Sequence, residues 1–506
     1  MPVAFALSPL LVVAVGALLL MLADALSTKR TPCPDGSVRT SSGAQGLAVG
    51  ATIVFVTALA LSAAVWLRGV DDVTGAAGLS PWLTIDRFSL FFDATLCLAG
   101  ALTALLAGGY LPEHKLDRGE FYPLLLLATF GAMVLATAGD LLTVFLGLET
   151  MSLGAYAMTG FRRASPRSAE AAVKYFLLGS FAAALMLFGF ALLYGATGHT
   201  DLAGVGAALA GGAVKSPLVI LALALVLASL VFKVSGVPFH MWAPDAYEGA
   251  PTPATTYMAI AVKSGAFAMM LRVLFTVFGD AKSASWAAGW PPVLALVSVM
   301  TMTLANLVAG RQDSVKRMLA YSSIAHAGYV LIGVVASMHG AREAQASVLF
   351  YLLTYTVSTA GAFGALVLCG SRGAEAVSYE DLAGIGRRHP AAALAFTVFL
   401  VSLAGIPPTA GFFGKWFVFR AAIDGGFYWL ALIGLLNSVI GVYYYLRVLV
   451  YMYMREPITG APVATPMRSG YVNTALIVSA ALVVALGLLP MRSLGVAIAA
   501  ATSLGG

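Results

Sequence analysis

The sequence predicts an all-α polytopic membrane protein with about 14 transmembrane helices, and three observations lead there. Of 506 residues, 60% are hydrophobic and 10% charged, whereas soluble domains carry roughly 45–50% apolar and a quarter charged residues. The mean hydropathy is +0.90. The apolar residues come in continuous runs rather than alternating ones. Lipid tolerates such runs only as helices, which close their backbone hydrogen bonds internally, so an outer-membrane barrel is disfavoured. Fourteen spans of about 20 residues would use roughly 280 positions and leave only short connections.

Taken in order, the runs fall near residues 3–24, 46–66, 84–108, 120–138, 141–160, 171–195, 217–241, 254–278, 290–309, 317–338, 344–369, 391–421, 428–453 and 472–495. The first lacks a basic leader and is too long for a signal-peptide core, so it is expected to be a retained span. Only Gly139 and Asp140 separate the fourth run from the fifth. The first inner connection, with Thr31-Pro32-Cys33-Pro34-Asp35-Gly36, is polar and turn-rich and suggests no role. The seventh run contains Val234-Ser235-Gly236-Val237-Pro238 and the twelfth Ala404-Gly405-Ile406-Pro407-Pro408. Proline removes an amide donor and clashes with the preceding turn, so both helices should break there. At 1.5 Å per residue the twelfth run would be about 46 Å long if straight, which an unwound middle explains. The shared Gly-x-Pro pattern aligns Gly236 with Gly405. The segment 242–253 is proline-rich, lacks Lys and Arg, and reads either as a rigid cap drawing cations with Asp245 and Glu248 or as a plain tight turn.

The 29 Lys and Arg exceed the 23 Asp and Glu by 6, but they sit in short loops rather than on one surface, which argues for topology and against nucleic acid. The odd-numbered connections hold 16 of them and the even-numbered ones with the tail 7, Arg272 being counted among the latter. By the positive-inside rule both termini lie outside the cytoplasm. Arg87 and Arg447 lie close enough to span ends to snorkel. Cys33, Cys97 and Cys369 form no CxxC pair and suggest neither a disulfide framework nor a zinc or iron–sulfur site.

Five ionisable groups lie where lipid-depth protein is expected. Glu149 is about 13 Å into the fifth run, Lys233 about 12 Å from the inner end of the seventh, and Lys263 about 14 Å into the eighth. Lys415 lies about 9 Å from the outer end of the twelfth run, in the opposite half of the bilayer, and Lys174 is nearer the cytoplasmic surface. Each charge at the centre of a span costs about 2.5–3.5 kcal/mol or more unless it faces protein or water. Desolvation and pairing oppose each other at such groups, which is the physical basis of a proton relay. The competing reading is a set of satisfied packing charges, with a Glu149–Lys233 pair holding two helices together. His326, at similar depth in the tenth run, can bridge Lys263 to Lys415, since imidazole accepts and donates near neutral pH. His240 offers a way in for protons at the cytoplasmic end of the seventh run.

Three stretches carry a resemblance: GVPFHMWAPDAYEGAPTPATTYMAIAVKSGAFAMMLRV (236–273), RMLAYSSIAHAGYVLIG (317–333) and LAGIPPTAGFFGKWFVF (403–419). Together with the span pattern they resemble the subunit N family of bacterial NADH:quinone oxidoreductase, respiratory complex I. The resemblance implies two inverted five-helix repeats, helices 4–8 and 9–13, each with a broken helix. It divides the chain into a three-helix segment 1–119, repeats 120–278 and 290–453, and a C-terminal segment 454–506. It also implies that Glu149, Lys233, Lys263 and Lys415 carry protons, with Lys174, His326 and His240 supporting them. Subunits L and M are similar. However, the chain leaves no room for the lateral helix of subunit L, and Lys415 stands where subunit M has glutamate.

Gly384-Ile385-Gly386-Arg387-Arg388-His389, the nearest approach to a dinucleotide fingerprint, lacks its third glycine and follows no strand. The expectation is therefore that this chain binds no cofactor, and that NADH, FMN, iron–sulfur clusters and quinone belong to partner subunits. The expected protein is a proton-translocating subunit in the bacterial inner membrane. Its partners would be the lipid bilayer and other membrane and peripheral subunits, antiporter-like siblings included. The alternatives are a subunit of a multisubunit cation/proton antiporter, a ferredoxin- or plastoquinone-linked relative, and a purely structural subunit.

Overall fold

The computed structural model describes residues 3–27, 29–32, 38–41, 44–69, 79–212, 217–338, 341–370, 373–457 and 464–504. Eleven of their helices are long and apolar enough to cross a membrane, and three more are shorter and apolar. They correspond one to one with the fourteen runs: α1 (Ser8–Ser27), α2 (Ala44–Arg68), α3 (Arg87–Glu113), α4 (Phe121–Thr137), α5 (Leu141–Thr159), α6 (Pro166–Thr197), α7a (Pro217–Lys233), α8 (Thr252–Thr276), α9 (Trp290–Ala309), α10 (Val315–Ala336), α11 (Arg342–Cys369), α12a (Pro390–Ala404), α13 (Tyr428–Met454) and α14 (Gly470–Leu488). The broken helices resume as α7b (Trp242–Gly249) and α12b (Ala410–Asp424), and a last helix, α15, spans Pro490–Ala501.

Local chemistry sets the boundaries. The narrow gap between α4 and α5 holds because the Asp140 side chain accepts the Leu142 amide at 2.8 Å, an N-cap. Gly139 is required beside it, since a Cβ there would lie 2.4 Å from the Pro81 carbonyl. Asp86 and Ser89 form a reciprocal capping box on α3. Ser165 precedes Pro166 and caps α6, and Ser314 caps α10.

Corresponding contacts recur in the two halves. Helix α4 packs along α5 as α9 packs along α10, and α6 packs on α7a as α11 packs on α12a. The Leu141 amide donates to Thr200 O at 2.9 Å and the Val315 amide to Val377 O at 2.7 Å. These bonds flank the bridges Asp140–Asp201 and Ser314–Ser378. Three helices lie at the centre: 94% of the apolar stretch of each of α8, α10 and α11 is buried, against 28% for α1 and 39% for α6 and α14. The outer helices present Leu18, Ile53, Phe181, Ile220, Leu296 and Ile477 to the surroundings, as a lipid-facing rim does.

The structure corrects several expectations. Residues 242–249 are helix, not a loop: Pro244 sits in the first turn, where a missing amide breaks no bond. Arg272 belongs to no connection; it is buried in α8 and paired with Asp86. The last run does not extend to 495, because α14 ends at Leu488 and Pro490 starts a separate helix. Arg447 does not snorkel but donates to the Gly310 and Gln312 carbonyls at the end of α9. In the first connection Lys29–Pro32 and Val38–Ser41 pair as an antiparallel hairpin, while Cys33, Pro34, Asp35 and Gly36 lie outside the described residues.

Candidate functional site

Both interrupted helices stop in the same way. Ser235 and Gly405 adopt left-handed backbone, with φ of 62° and 83°. The Ser235 amide returns to Phe232 O and that of Gly236 to Val231 O; likewise the Gly405 amide reaches Ser402 O and that of Ile406 reaches Val401 O. This register pairs Ser235 with Gly405 and Pro238 with Pro408, one residue away from the alignment that the Gly-x-Pro pattern suggests. A left-handed residue at a helix end is usually glycine, which has no Cβ to clash. Because Ser235 holds that position in the first break, the sequence pattern locked onto the wrong glycine.

Lys233, Lys263 and Lys415 are all buried. Lys233 Nζ donates to Ser152 Oγ at 2.9 Å and to Tyr156 Oη at 3.4 Å, both on α5. Lys263 Nζ crosses to α10, where it donates to the carbonyl and hydroxyl of Ser323. Tyr355 of α11 donates to the same hydroxyl at 2.8 Å. Lys415 folds back across the break to donate to Ala404 O at 2.9 Å, and reaches Ser438 Oγ of α13 at 2.8 Å. Among the described residues none of the three forms an ion pair with a carboxylate; each is held by neutral dipoles. A hydroxyl both donates and accepts, so such a cage fits an ammonium or an amine, whereas a carboxylate partner would lock the charged form.

Glu149 lies within electrostatic range of Lys233 without touching it. One of its oxygens is buried with no hydrogen-bond partner, so the Glu149–Lys233 pair of the competing packing-charge reading is not formed. His326 lies in electrostatic range of both Lys263 and Lys415. Its contacts are tyrosines rather than lysines: Nδ1 meets Tyr351 Oη at 2.7 Å and Nε2 meets Tyr445 Oη at 3.1 Å. A small cavity joins His326, Tyr351 and Tyr355 to Ser358 and Ser402 beside the second break, with about 10 Å³ of room for a water's centre, close to the minimum for one molecule. Between Lys233 and Lys263 no side-chain hydrogen bond makes a similar link among the described residues.

Lys174 is placed apart from this row. It is exposed and paired with Glu170 at 2.7 Å and Asp245 at 3.0 Å. Arg317 also binds Asp245, at 3.0 Å, and Glu248 accepts from Ser314, so α7b does not present free acids to cations. His240 is half-buried beside the first break.

The hydroxyl partners were missed from sequence. Ser152 and Tyr156 stand three and seven residues after Glu149, on the same helical face, and that spacing was their signal. Glu375 was also missed. From the connection after α11 it accepts hydrogen bonds from Tyr110 of α3 and, at 2.7 Å, from Thr252 of α8, and pairs with Lys316 of α10 at 3.2 Å. Burial alone would raise its pKa, but Lys316, the two hydroxyls and Arg162 prevail and hold it at about 2.

A bundle of spanning helices, two of them broken alike and carrying caged lysines beside the breaks, defines an antiporter-like membrane subunit. Comparison with known proteins places the chain further. The family model described as NADH:quinone oxidoreductase/Mrp antiporter, transmembrane, matches residues 138–441. NADH-quinone oxidoreductase subunit N 1 of Sorangium cellulosum is 65% identical over 499 residues, covering 98% of each chain. Subunit N of Trichlorobacter lovleyi is 42% identical, covering 88% of this chain and 92% of its own. Among solved structures, a chain of respiratory complex I from Thermus thermophilus with bound aureothin superposes with a TM-score of 0.77 at 34% identity, covering 96% of this chain and 98% of that one. A chain of the Mrp complex from Dietzia superposes with a TM-score of 0.81 over 100% of this chain and 98% of its own, but at 23% identity it speaks to fold alone. The chain belongs to the NADH:quinone oxidoreductase/Mrp antiporter membrane-subunit family, on the branch of NADH-quinone oxidoreductase subunit N.

Proposed function

We propose that this chain is a proton-translocating membrane subunit of a NADH:quinone oxidoreductase in the bacterial inner membrane, with both termini on the outer side. The observation that carries this reading is the caging of Lys233, Lys263 and Lys415 by hydroxyls and carbonyls without a carboxylate. The two units 120–278 and 290–453 act as the repeats. Glu149 and Lys233 form the first exchanging pair, one group's charge governing the other's hold on its proton. Lys263 passes its proton by way of Ser323 and Tyr355 towards His326, and Lys415 receives it beside the second break. No group of three or more His, Cys, Asp or Glu suited to a metal occurs among the described residues. Electron transfer belongs to partner subunits, and the relay responds to charge and hydration changes transmitted through the complex.

Changing Lys263 to alanine in the assembled complex tests this. The expected result is loss of both quinone reduction and pumping; a normal proton-to-electron ratio would remove Lys263 from the relay. The antiporter alternative predicts Na⁺ or K⁺ transport in vesicles without redox substrate. It has less support, because the more identical relatives are subunit N chains.

A further inference from the structure

The second break is held together by a side chain that does not belong to the helix it caps. Helix α12b begins after Thr409, but the Thr409 hydroxyl donates to Ile406 O at 2.7 Å and caps nothing. The amide of Gly411, in the first turn of α12b, instead donates at 3.2 Å to the hydroxyl of Ser402, close to the end of α12a. A helix start needs such an acceptor for its unpaired amides. The two half-helices press on each other there, since a Cβ on Gly411 would collide with Ser402 O. The same carbonyl accepts the Gly405 amide at 2.9 Å, so Ser402 holds both sides of the break. At the first break the equivalent residue is Phe232, which offers only a carbonyl, to the Trp242 indole at 3.1 Å.

The Ser402 hydroxyl has a further contact, and it faces the relay. It shares a hydrogen bond of 2.8 Å with Ser358 of α11, and both serines line the small cavity that reaches His326, Thr354 and Tyr355. Tyr355 donates to the Ser323 hydroxyl that holds Lys263, and His326 is in electrostatic range of Lys263 and Lys415. On the other side, Lys415 rides on α12b and donates to the Ala404 carbonyl at the end of α12a, a contact that lasts only while the half-helices stay together. A hydroxyl has one proton and two lone pairs, and the Gly411 amide takes one lone pair of Ser402. If Ser358 donates, both lone pairs are used and the Ser402 proton is left for the cavity. If Ser402 donates, one of its lone pairs stays open and the spare proton is that of Ser358. A single water bonded to His326 or Tyr355 selects between the two arrangements by donating or accepting.

We infer that Ser402 is a positioning residue for the proton relay: through its bonds to Ser358 and to the Gly411 amide it passes the state of the cavity beside His326 to the second break, and so sets how firmly Lys415 is held to Ala404. This deepens the relay proposed above and rests on it. Ser402 carries no proton across; it fixes the geometry in which Lys415 acts.

The test uses the whole complex in sealed membrane vesicles and reads the proton-to-electron ratio beside assembly on native gels. Ser358→Ala leaves the cap in place and removes only the link to the cavity; the ratio should fall roughly fivefold, the scale of one hydrogen bond. Ser402→Ala removes link and cap together and should lower it at least as far. Ser402→Thr, which keeps the hydroxyl, should restore most of it. An unaltered ratio in assembled Ser358→Ala overturns the proposal, even where Ser402→Ala lowers thermal stability, because Ser402 is then a cap alone. If Ser402→Ala fails to assemble, Ser358→Ala decides by itself. Lys415→Ala measured in parallel separates the two readings: impaired Lys415→Ala with normal Ser358→Ala rejects this link alone, whereas a normal ratio in both rejects the relay as well.

Discussion

The two interrupted helices share a backbone and differ in what they carry. Lys233 is the last residue of α7a, before its break, and bonds within its own half of the molecule to α5. Lys415 comes ten residues after Gly405, on the far half-helix, and reaches back over the break to the Ala404 carbonyl. The residue structurally equivalent to Lys233 is Leu403, and the first resumed helix carries no lysine: its Asp245 holds Lys174 and Arg317 at the surface. The resumed segments differ too. Helix α7b has 8 residues and is pinned at its end by buried Lys316, which donates to Ala250 O at 2.7 Å and is itself fixed by Glu375. Helix α12b has 15 residues, and its last turn carries the exposed pair Arg420–Asp424. The interruption is alike in the two halves while the lysines stand on opposite sides of it, so in the relay proposed above the two breaks would perform different parts of one route.

Four experiments sharpen or break this comparison. The largest effect is expected from Lys263→Ala, which removes the group between the two breaks; quinone reduction and pumping should drop by roughly 10² or more with assembly intact on native gels. Retained pumping would mean that each break works independently. Next, Glu375→Ala strips the lock from the first break and leaves buried Lys316 unpaired, which should cost about 3–5 kcal/mol in thermal unfolding of the solubilised complex. The pH dependence has a definite sign. The pKa of Glu375 is depressed from 4.5 to about 2, so its contribution is complete above 4.5 and disappears as the pH falls towards 2. The gap between parent and Glu375→Ala should close over that range.

Smaller effects are expected at the turns themselves. Gly405→Ala places a Cβ on a left-handed residue, costing about 1–2 kcal/mol, and that Cβ would lie 2.9 Å from Lys415 Cδ. Stability and turnover should both fall. Ser235→Gly relaxes the equivalent position but makes the unfolded chain more flexible, so stability should change by less than about 1 kcal/mol. An equal response at both positions would contradict the asymmetry described above.

Much of this architecture was legible because lipid imposes a strong length and composition rule. All fourteen runs correspond to helices, and both breaks fall at the prolines that announced them. The α7b segment was not legible, because Pro244 and Pro251 read as loop formers; tertiary packing retains a helix whose first turn tolerates proline. The buried amines stood out as charges at depth. Their hydroxyl partners did not, since Ser323 or Tyr355 in an apolar run carries no mark of its direction until α8, α10 and α11 are packed. Arg272 was assigned to a connection because it lies near a span end, and only its contact with Asp86 shows that it belongs inside.

The π-helical turn just before Lys263 has a consequence for how this centre tolerates change. A turn bonded i to i+5 holds one residue more than its α-helical equivalent, and one residue is about 100° of rotation. The first turn of α8, anchored by Thr252 to Glu375, and its last part, anchored by Arg272 to Asp86, are thereby set in phases that a regular helix of the same sequence could not satisfy together. Deleting a single residue from 258–262 would let a regular α-helix keep both ends in phase and leave Lys263 on Ser323, whereas regularising the turn at its present length would rotate Lys263 off Ser323 by about 100° without altering any ionisable group.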